Sequence, residues 1–453
     1  MKKAVVMRKL LAASVAQICL VGGMLCSGPA AAMTLMQAYQ AALQNDPTYL
    51  SAVDDSIAGK EYAVLGRSNL LPQVSASYSA SKVRADLTQP NFLGTIGTTH
   101  PVYLSHASVL QVRQPLFSLD ALARYKQGKA QSGYYAAQFD GRVQELILRV
   151  SGAYIDALYS GEQLALIQAQ RDTYVEQQKV NTHLYEKGEG TKTDMLETQA
   201  RLDLSEAQLL EARDAQQNAR AALAALVGGV DVGELDQLQE TFRIAPLPEG
   251  GFETLRKSIL DHNPEVQAQV FAVEAAKQEV NKARSGHTPR VDMIASYSKS
   301  NADTLNTYNQ ESTNRSIGVQ VNIPLYSGGA VSAQARQSSA NLDKAKHDLQ
   351  AKVDKLTLDL RKDFATVVSS SSRIPALDKA VASAKLLVTA TEQSIKGGVR
   401  INLDLLNAKQ QLFTSQRDLA QARYNYLVSM LKVKSSAGTL GPEDVHEIAG
   451  YFR

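Results

Sequence analysis

The chain has 453 residues, about three times the usual domain size, which argues against one simple globular core. Hydrophobic residues make up 44% and charged residues 21%, which excludes an acidic disordered chain, and a mean hydropathy of −0.21 excludes a bundle of lipid-facing helices. The 48 Lys and Arg nearly balance 45 Asp and Glu; without the four bases among the first nine residues the count is 44 against 45, so the basic pI carries no implication of nucleic-acid binding.

Residues 1–32 read as an export leader. Lys2, Lys3, Arg8 and Lys9 precede an apolar stretch from Leu10 to Leu25, and Ala30-Ala31-Ala32 gives the small-residue cleavage pattern, so the mature chain is expected to start near Met33. Cys19 and Cys26 both lie in this leader, which leaves a mature chain without disulfides or cysteine-ligated metal. Gly23-Met24-Leu25 puts bulky residues where a lipid-attachment signal before Cys26 wants small ones. Beyond the leader no run of eighteen apolar residues remains, so any membrane span must be β.

The mature chain is written twice. Pro47 and Pro264, and Pro72 and Pro289, share an offset of 217; Gln114-Pro115-Leu116-Phe117 matches Ile323-Pro324-Leu325-Tyr326 at 209, and Gly188 to Asp194 matches Gly398 to Asp404 at 210. Repeats of 33–245 and 246–453 follow. The first opens with a helix over about 34–70, capped by Thr34, then a strand in which Val74, Ala76 and Tyr78 alternate with Ser75, Ser77 and Ser79. A polar segment, 85–106, reads as a loop, and the return strand spans about 107–117. A long helix over 119–187, a glycine break and a helix over 191–227 complete the copy.

The second repeat follows the same order: a helix over 251–286, strands around a loop at 301–313, a helix over 328–396 and another over 401–437. Val291, Met293, Ala295 and Tyr297 alternate with Asp292, Ser296 and Ser298, and Ile317, Val319, Val321 and Ile323 with Gly318, Gln320 and Asn322. The β-hairpins are therefore 71–118 and 288–327, with Pro72, Pro115, Pro289 and Pro324 at strand ends, and the helical hairpins 119–227 and 328–437. Pro375 and the Ser369–Ser372 run predict a kink or local irregularity in the second long helix.

The shorter helices carry a seam of alternating size. Met195, Leu202, Leu209 and Leu223 fall on a seven-residue period, as do Leu405, Leu412, Leu419, Tyr426 and Val433. Three residues after positions of that period, Gln216 included, come Thr198, Ser205, Ala212 and Ala219, and Ala408, Ser415, Ala422 and Ser429. Such a seam lets helices approach closely without a broad globular core. Taken alone, either helix reads as an ordinary soluble coiled coil.

Four strands per chain do not close a membrane barrel, which needs about eight or more, and open sheet edges are not tolerated in lipid. An exported chain with two such hairpins is expected to oligomerise; three chains would give twelve strands, with Val291, Met293, Ile317, Val319 and Val321 facing lipid.

The two-fold repeat, the proline-flanked hairpins, the segments Tyr185-Glu186-Lys187-Gly188…Asp194-Met195-Leu196 and Gly398…Asp404-Leu405-Leu406, and Ala422-Arg423-Tyr424-Asn425-Tyr426-Leu427 together resemble the TolC family of outer-membrane channel proteins. The resemblance covers essentially all of the mature chain. It implies an α+β membrane channel: a homotrimer whose twelve-stranded β-barrel, four strands per chain, lies in the outer membrane and continues as a long α-helical coiled-coil tunnel in the periplasm. It implies as partners an inner-membrane ABC transporter and a periplasmic adaptor, with outer-membrane lipid around the barrel and exported protein or drug inside.

It also implies a periplasmic entrance closed by helix-hairpin links and an acidic ring. Thr193 and Asp194 match link residues on the first hairpin, Arg400 matches the basic link residue on the second, and Asp404 matches a pore-facing aspartate. Asn407 stands where the family has a second pore aspartate, and Ile395 where it has a linking tyrosine. The alternative reading of Asp194 and Asp404 is helix N-terminal capping.

No enzyme chemistry is legible. The seven histidines are scattered without metal-ligand spacing, Gly228-Gly229 and Gly328-Gly329 lack the rest of a phosphate loop, and Lys352–Lys362 is a mixed-charge helix face. No cofactor is called for. The expected function is the outer-membrane duct of a type I secretion system; the alternatives are the outer-membrane factor of a multidrug efflux pump and, from another class, a soluble periplasmic coiled-coil adaptor.

Overall fold

A computed structural model of the chain describes residues 32–90, 92, 94–230, 232–239, 242–245, 250–302 and 310–453. All but the last residue of the expected leader, both cysteines included, lies outside the described residues. The elements run α1 (Leu35–Asn45), α2 (Pro47–Ser68), β1 (Gln73–Arg84), β2 (Leu87–Pro90), β3 (Ile96–Thr99), β4 (Val102–Phe117), α3 (Leu119–Glu186) and α4 (Lys192–Leu226). Then follow α5 (Gly251–His262), α6 (Pro264–Arg284), β5 (Arg290–Ala302), β6 (Gln310–Asn322), α7 (Ala330–Lys396), α8 (Asn402–Ala437) and α9 (Pro442–Ala449). Among the described residues no helix is long and apolar enough to cross a membrane.

Thr34 caps α1 through a reciprocal pair: it accepts the Gln37 N–H at 3.1 Å while the Gln37 side chain accepts the Thr34 N–H at 3.0 Å. The single helices expected over 34–70 and 251–286 are each two helices. Pro47 and Pro264 have no N–H to continue the preceding helix, and Asp46 and Asn263 adopt extended backbone and cap the next one. Asp46 accepts the Tyr49 N–H at 2.8 Å and is gripped by Arg149 of α3 at 2.8 and 3.2 Å. Asn263 caps α6 and reaches back to the Ser436 carbonyl at 3.0 Å. The α7 helix runs unbroken through Pro375.

Four strands form one antiparallel sheet in the order β1-β4-β5-β6, and β1 and β6 are its open edges. Register alignment sorts the side chains into two faces. Val74, Val112, Ala295 and Ile317 lie in one row across all four strands, with Met293 opposite Val319 and Val291 opposite Val321 on the same face. The other face carries Ser75, Gln111, Ser296 and Ser316 in a row, and Asp292 paired with Arg113 at 2.7 Å and Arg290 at 3.0 Å. Ile317, Val319 and Val321 are exposed in the isolated chain. The 85–106 segment is not a plain loop: β2 and β3 pair as a small separate hairpin, and β4 starts at Val102 rather than near 107. Pro115 sits inside β4, where the β4–β5 register shifts at a bulge that accommodates its missing N–H.

Each strand of the sheet is joined to a helix on the same side: β1 to α2, β4 to α3, β5 to α6 and β6 to α7. These helices pack side by side in the order α2-α3-α6-α7, the order of their strands. Farther from the sheet α2 and α6 are absent and the partners of the long helices are α4 and α8. With 68 and 67 residues, α3 and α7 span both tiers, about 100 Å each. The seam is buried as expected at Thr198, Leu202, Ser205, Leu209 and Ala212, and at Leu405, Ala408, Ser415, Leu419, Ala422, Tyr426, Ser429 and Val433.

The main apolar cluster lies where the tiers meet and gathers α1, α9 and the inter-repeat segment around α3, α7 and α8. Three chain segments are clasped there. Met33 pairs with Leu235 in a parallel bridge, and Leu238 with Phe452 in an antiparallel one. The Tyr154 hydroxyl donates to the Met33 carbonyl at 2.9 Å, and its ring meets Phe452 edge-on at 5.6 Å. Lys434 of α8 holds α9 through Asp444 at 2.6 Å and Glu447 at 2.7 Å.

Asp46 is 1% exposed and Arg149 30%. Burial pushes the Asp46 carboxyl up, but hydrogen bonds from Arg149 and the Tyr49 N–H, with the Arg149 charge, bring it below its ordinary 3.8. Asp46→Ala is expected to destabilise the fold by about 3 kcal/mol, the low end for breaking a buried pair because Arg149 keeps some solvent. Because the folded value is depressed, the pair's contribution is full above pH 3.8 and fades as pH falls through the folded value. Thermal melts followed by circular dichroism should therefore show wild type and Asp46→Asn separated at neutral pH and converging below pH 3.8.

Candidate functional site

The sheet and the two helical tips bracket the molecule. Each tip is a tight turn between a long and a shorter helix, built the same way in both halves. The Gly188 N–H reaches the Tyr185 carbonyl at 3.0 Å and the Glu189 N–H the Leu184 carbonyl at 2.9 Å; Gly398 reaches Ile395 at 2.9 Å and Val399 reaches Ser394 at 3.0 Å. Gly188 and Gly398 take φ of +76° and +73°, a left-handed conformation that terminates the helix and that a Cβ would strain.

The site residues expected from sequence separate into two groups here. Thr191 caps α4, accepting the Asp194 N–H at 3.1 Å and donating its hydroxyl to the Asp194 carboxylate at 2.5 Å. The cap is therefore Thr191, and Asp194 sits in the first turn of α4 with both its N–H and its carboxylate bonded to the Thr191 hydroxyl. Asp404 occupies the corresponding place in the first turn of α8, but the cap residue is Ile401, which offers no side-chain oxygen. Its carboxylate, half-buried, takes no hydrogen bond or ion pair among the described residues. Thr193 and Arg400 are exposed, and among the described residues neither Thr193 nor Asp194 is joined to Arg400 by a hydrogen bond or ion pair within the chain.

A different set of polar contacts ties the two hairpins together. Gln177 of α3 donates to Asn402 at 2.7 Å, and Gln170 and the Tyr174 hydroxyl both donate to the Gln410 side-chain oxygen at 2.9 Å. Arg201 of α4 donates to Asn407 at 2.7 Å, so the residue that departs from the family's second aspartate has a partner in its own chain. Tyr174, Leu202 and Leu406 form a small buried cluster beneath these links. Asn181, also buried, donates to Thr198 at 2.7 Å.

These amides are absent from the expected site because an uncharged Gln or Asn on a long helix reads as ordinary solvated surface. One signal was available: Gln170, Tyr174, Gln177 and Asn181 recur at four- and three-residue steps and so share one helix face. The links hold two helical hairpins in register through hydrogen bonds worth about 1 kcal/mol net for the neutral amide and hydroxyl pairs and somewhat more for the charged Arg201–Asn407 link, so they can break one at a time at modest cost.

Likeness to known proteins agrees with this geometry. A family model described as outer membrane efflux protein matches residues 38–229 and 255–439. The chain is 39% identical over 422 residues to the alkaline protease secretion protein AprF of Pseudomonas aeruginosa, covering 93% of this chain and 88% of that protein. It is 34% identical over 436 residues to the proteases secretion protein PrtF of Dickeya chrysanthemi, covering 95% and 93%. Among solved structures the Campylobacter jejuni CmeC outer membrane channel matches with a TM-score of 0.77 at 16% identity over 95% of each chain, a likeness of fold. The chain belongs to the outer membrane efflux protein family.

Proposed function

We propose that this chain is the outer-membrane exit duct of a type I secretion system, passing unfolded protein of the protease or lipase kind from an inner-membrane ABC transporter and a periplasmic adaptor to the exterior. The observation that supports it most is the four-stranded sheet, apolar on one face and polar on the other, whose strands pass in unchanged order into a layer of helices. The protease-secretion relatives, matched along nearly the whole chain, favour protein cargo over small drugs. On this reading the chain is a repeat of 33–245 and 246–453, the Val74-Val112-Ala295-Ile317 face meets lipid, and the serine-rich face lines an aqueous lumen. Restored release of a secreted protease by cells lacking their own duct, but retaining transporter and adaptor, tests it; restored drug resistance without protease release would favour the efflux alternative.

Closure of the sheet requires copies of the chain, since its edges β1 and β6 are unpaired with each other. Three chains give a twelve-stranded barrel and set six helical hairpin tips around one axis. Asp404, in the first turn of α8 beside the Gly397-Gly398 turn, then converges with its two copies at the narrow end. Three carboxylates in an aqueous constriction make a negative potential that attracts cations. Arg400 reaches towards Thr193 of a neighbouring hairpin and helps hold the entrance shut.

Cross-linking of the detergent-purified chain is expected to stop at a trimer; a stable monomer with a closed barrel would contradict the assembly. Val319→Arg should disfavour membrane insertion by about 2–4 kcal/mol if the residue lies near mid-membrane, read as loss of the protein from outer-membrane fractions. In planar bilayers Asp404→Ala should lower cation selectivity and block by multivalent cations, whereas Arg400→Ser should raise conductance; unchanged selectivity and block in Asp404→Ala would reduce it to a helix-end charge.

A further inference from the structure

Towards the loop end of the sheet the apolar face changes character. Above the Val74-Val112-Ala295-Ile317 row come Ala76, Leu110, Tyr297 and Arg315, then Tyr78, Ser108, Lys299 and Thr313, and finally Lys82 and Arg84 at the end of β1. The opposite face at the same height carries Ser77, Ser79, Ser81, Ser298, Ser300, Ser312 and Asn314, all neutral. Charges in a barrel are expected to favour the watery lumen, yet here the cations sit on the face that also bears the aliphatic rows. Lys82, Arg84, Lys299 and Arg315 are opposed on that face by one carboxylate, Glu311, which pairs with Lys299. Lys82, Arg84 and Arg315 have no ion pair among the described residues and are exposed.

Their height suits an interface rather than the hydrocarbon core. Arg315 lies eight residues before Ile323, the residue just past the end of β6, which is roughly 27 Å of extended chain and about 20 Å of height at a typical tilt, near the 25 Å of an apolar barrel band. The aromatic rings lie just beneath or within the belt. The Arg315 guanidinium stands 5.6 Å from the centre of the Tyr297 ring, and the exposed Tyr78 donates to or accepts from His106 at 2.9 Å. Rings at headgroup depth with cations beside them match a lipid that carries phosphate above its acyl chains.

We infer that Lys82, Arg84, Lys299 and Arg315 form an outward-facing belt that binds the phosphate groups of a phosphorylated glycolipid in the outer leaflet. The inference rests on the proposed reading that this face meets lipid. In the assembled ring β6 of one copy adjoins β1 of the next, which brings Arg315 and Lys299 towards the neighbour's Lys82 and Arg84 and makes the belt continuous.

The test titrates the purified, assembled full chain with bisphosphorylated lipid A, with the same lipid enzymatically dephosphorylated, and with inorganic phosphate, reading bound lipid by native mass spectrometry. Wild type should bind the phosphorylated lipid at least about tenfold more tightly than the dephosphorylated one, and Lys82→Gln/Arg84→Gln/Arg315→Gln should lose that preference. Equal affinity of wild type for the two lipids overturns the proposal without any variant, as does equal binding of phosphorylated lipid by wild type and the assembled triple variant. Displacement of the lipid by millimolar inorganic phosphate would identify a simple anion site instead and also overturn it. Val319→Arg separates the two levels: normal membrane assembly of that variant removes the lipid-face reading, whereas failed assembly alongside an ineffective triple variant removes only the belt.

Discussion

The backbone of β1 and β6 sets the terms for the rest of the molecule. Each edge strand presents a row of N–H and C=O groups that pair with no further strand among the described residues, and a bilayer offers no partner. An unsatisfied group in hydrocarbon costs several kcal/mol, so a dozen residues of open edge outweigh any other single term in the fold. The sheet must find its complement in another copy. The helical layer inherits the constraint because each helix begins or ends where a strand does, in the same lateral order.

That inheritance also explains the two tiers. Four strands lie about 4.8 Å apart, whereas helices pack at 8–10 Å, so a four-helix layer wraps a wider ring than the sheet above it. The large/small seam of α4 and α8 is the means by which neighbouring helices draw together, with Thr198, Ser205, Ala408 and Ser415 filling places that larger side chains would force apart. Where the tiers meet, the layer changes its short helices, and the first described residues, the inter-repeat segment and the final residues are tied to the long helices there. The buried Asp46–Arg149 pair sits at the same level, between the α1–α2 break and α3.

Much of this was legible because it is periodic. Alternation placed the four main strands and their faces, the 217-residue offset tied the halves, and the seven-residue seam located the buried side of α4 and α8. What escaped was aperiodic or depended on folding together distant segments. The breaks at Asp46-Pro47 and Asn263-Pro264 carried a readable signal, a capping residue followed by proline, but were masked by helical sequence on both sides. The β2–β3 hairpin consists of two short strands in polar sequence, too brief for alternation to show. The α9 clasp depends on Lys434 meeting Asp444 and Glu447, and the tip links on Gln410 meeting Gln170 and Tyr174, a pairing 236 residues apart in the case of Tyr174 that no local pattern encodes.

The clasp at Tyr154 gives the long helices a fulcrum. Tyr154 lies 32 residues before the end of α3, so the tip stands about 50 Å beyond it. A rotation of only about 0.1 radian at that pivot carries the tip roughly 5 Å, farther than any hydrogen bond stretches before it fails. The Gln177–Asn402, Tyr174–Gln410 and Arg201–Asn407 links lie at different distances from the pivot and so strain unequally, those nearest the tip first. Tyr154 stands near the middle of α3, so the helical layer is a lever with two arms of similar length, one ending at the sheet and the other latched by a graded row of weak bonds. A force too small to disturb the barrel can unzip that row one link at a time.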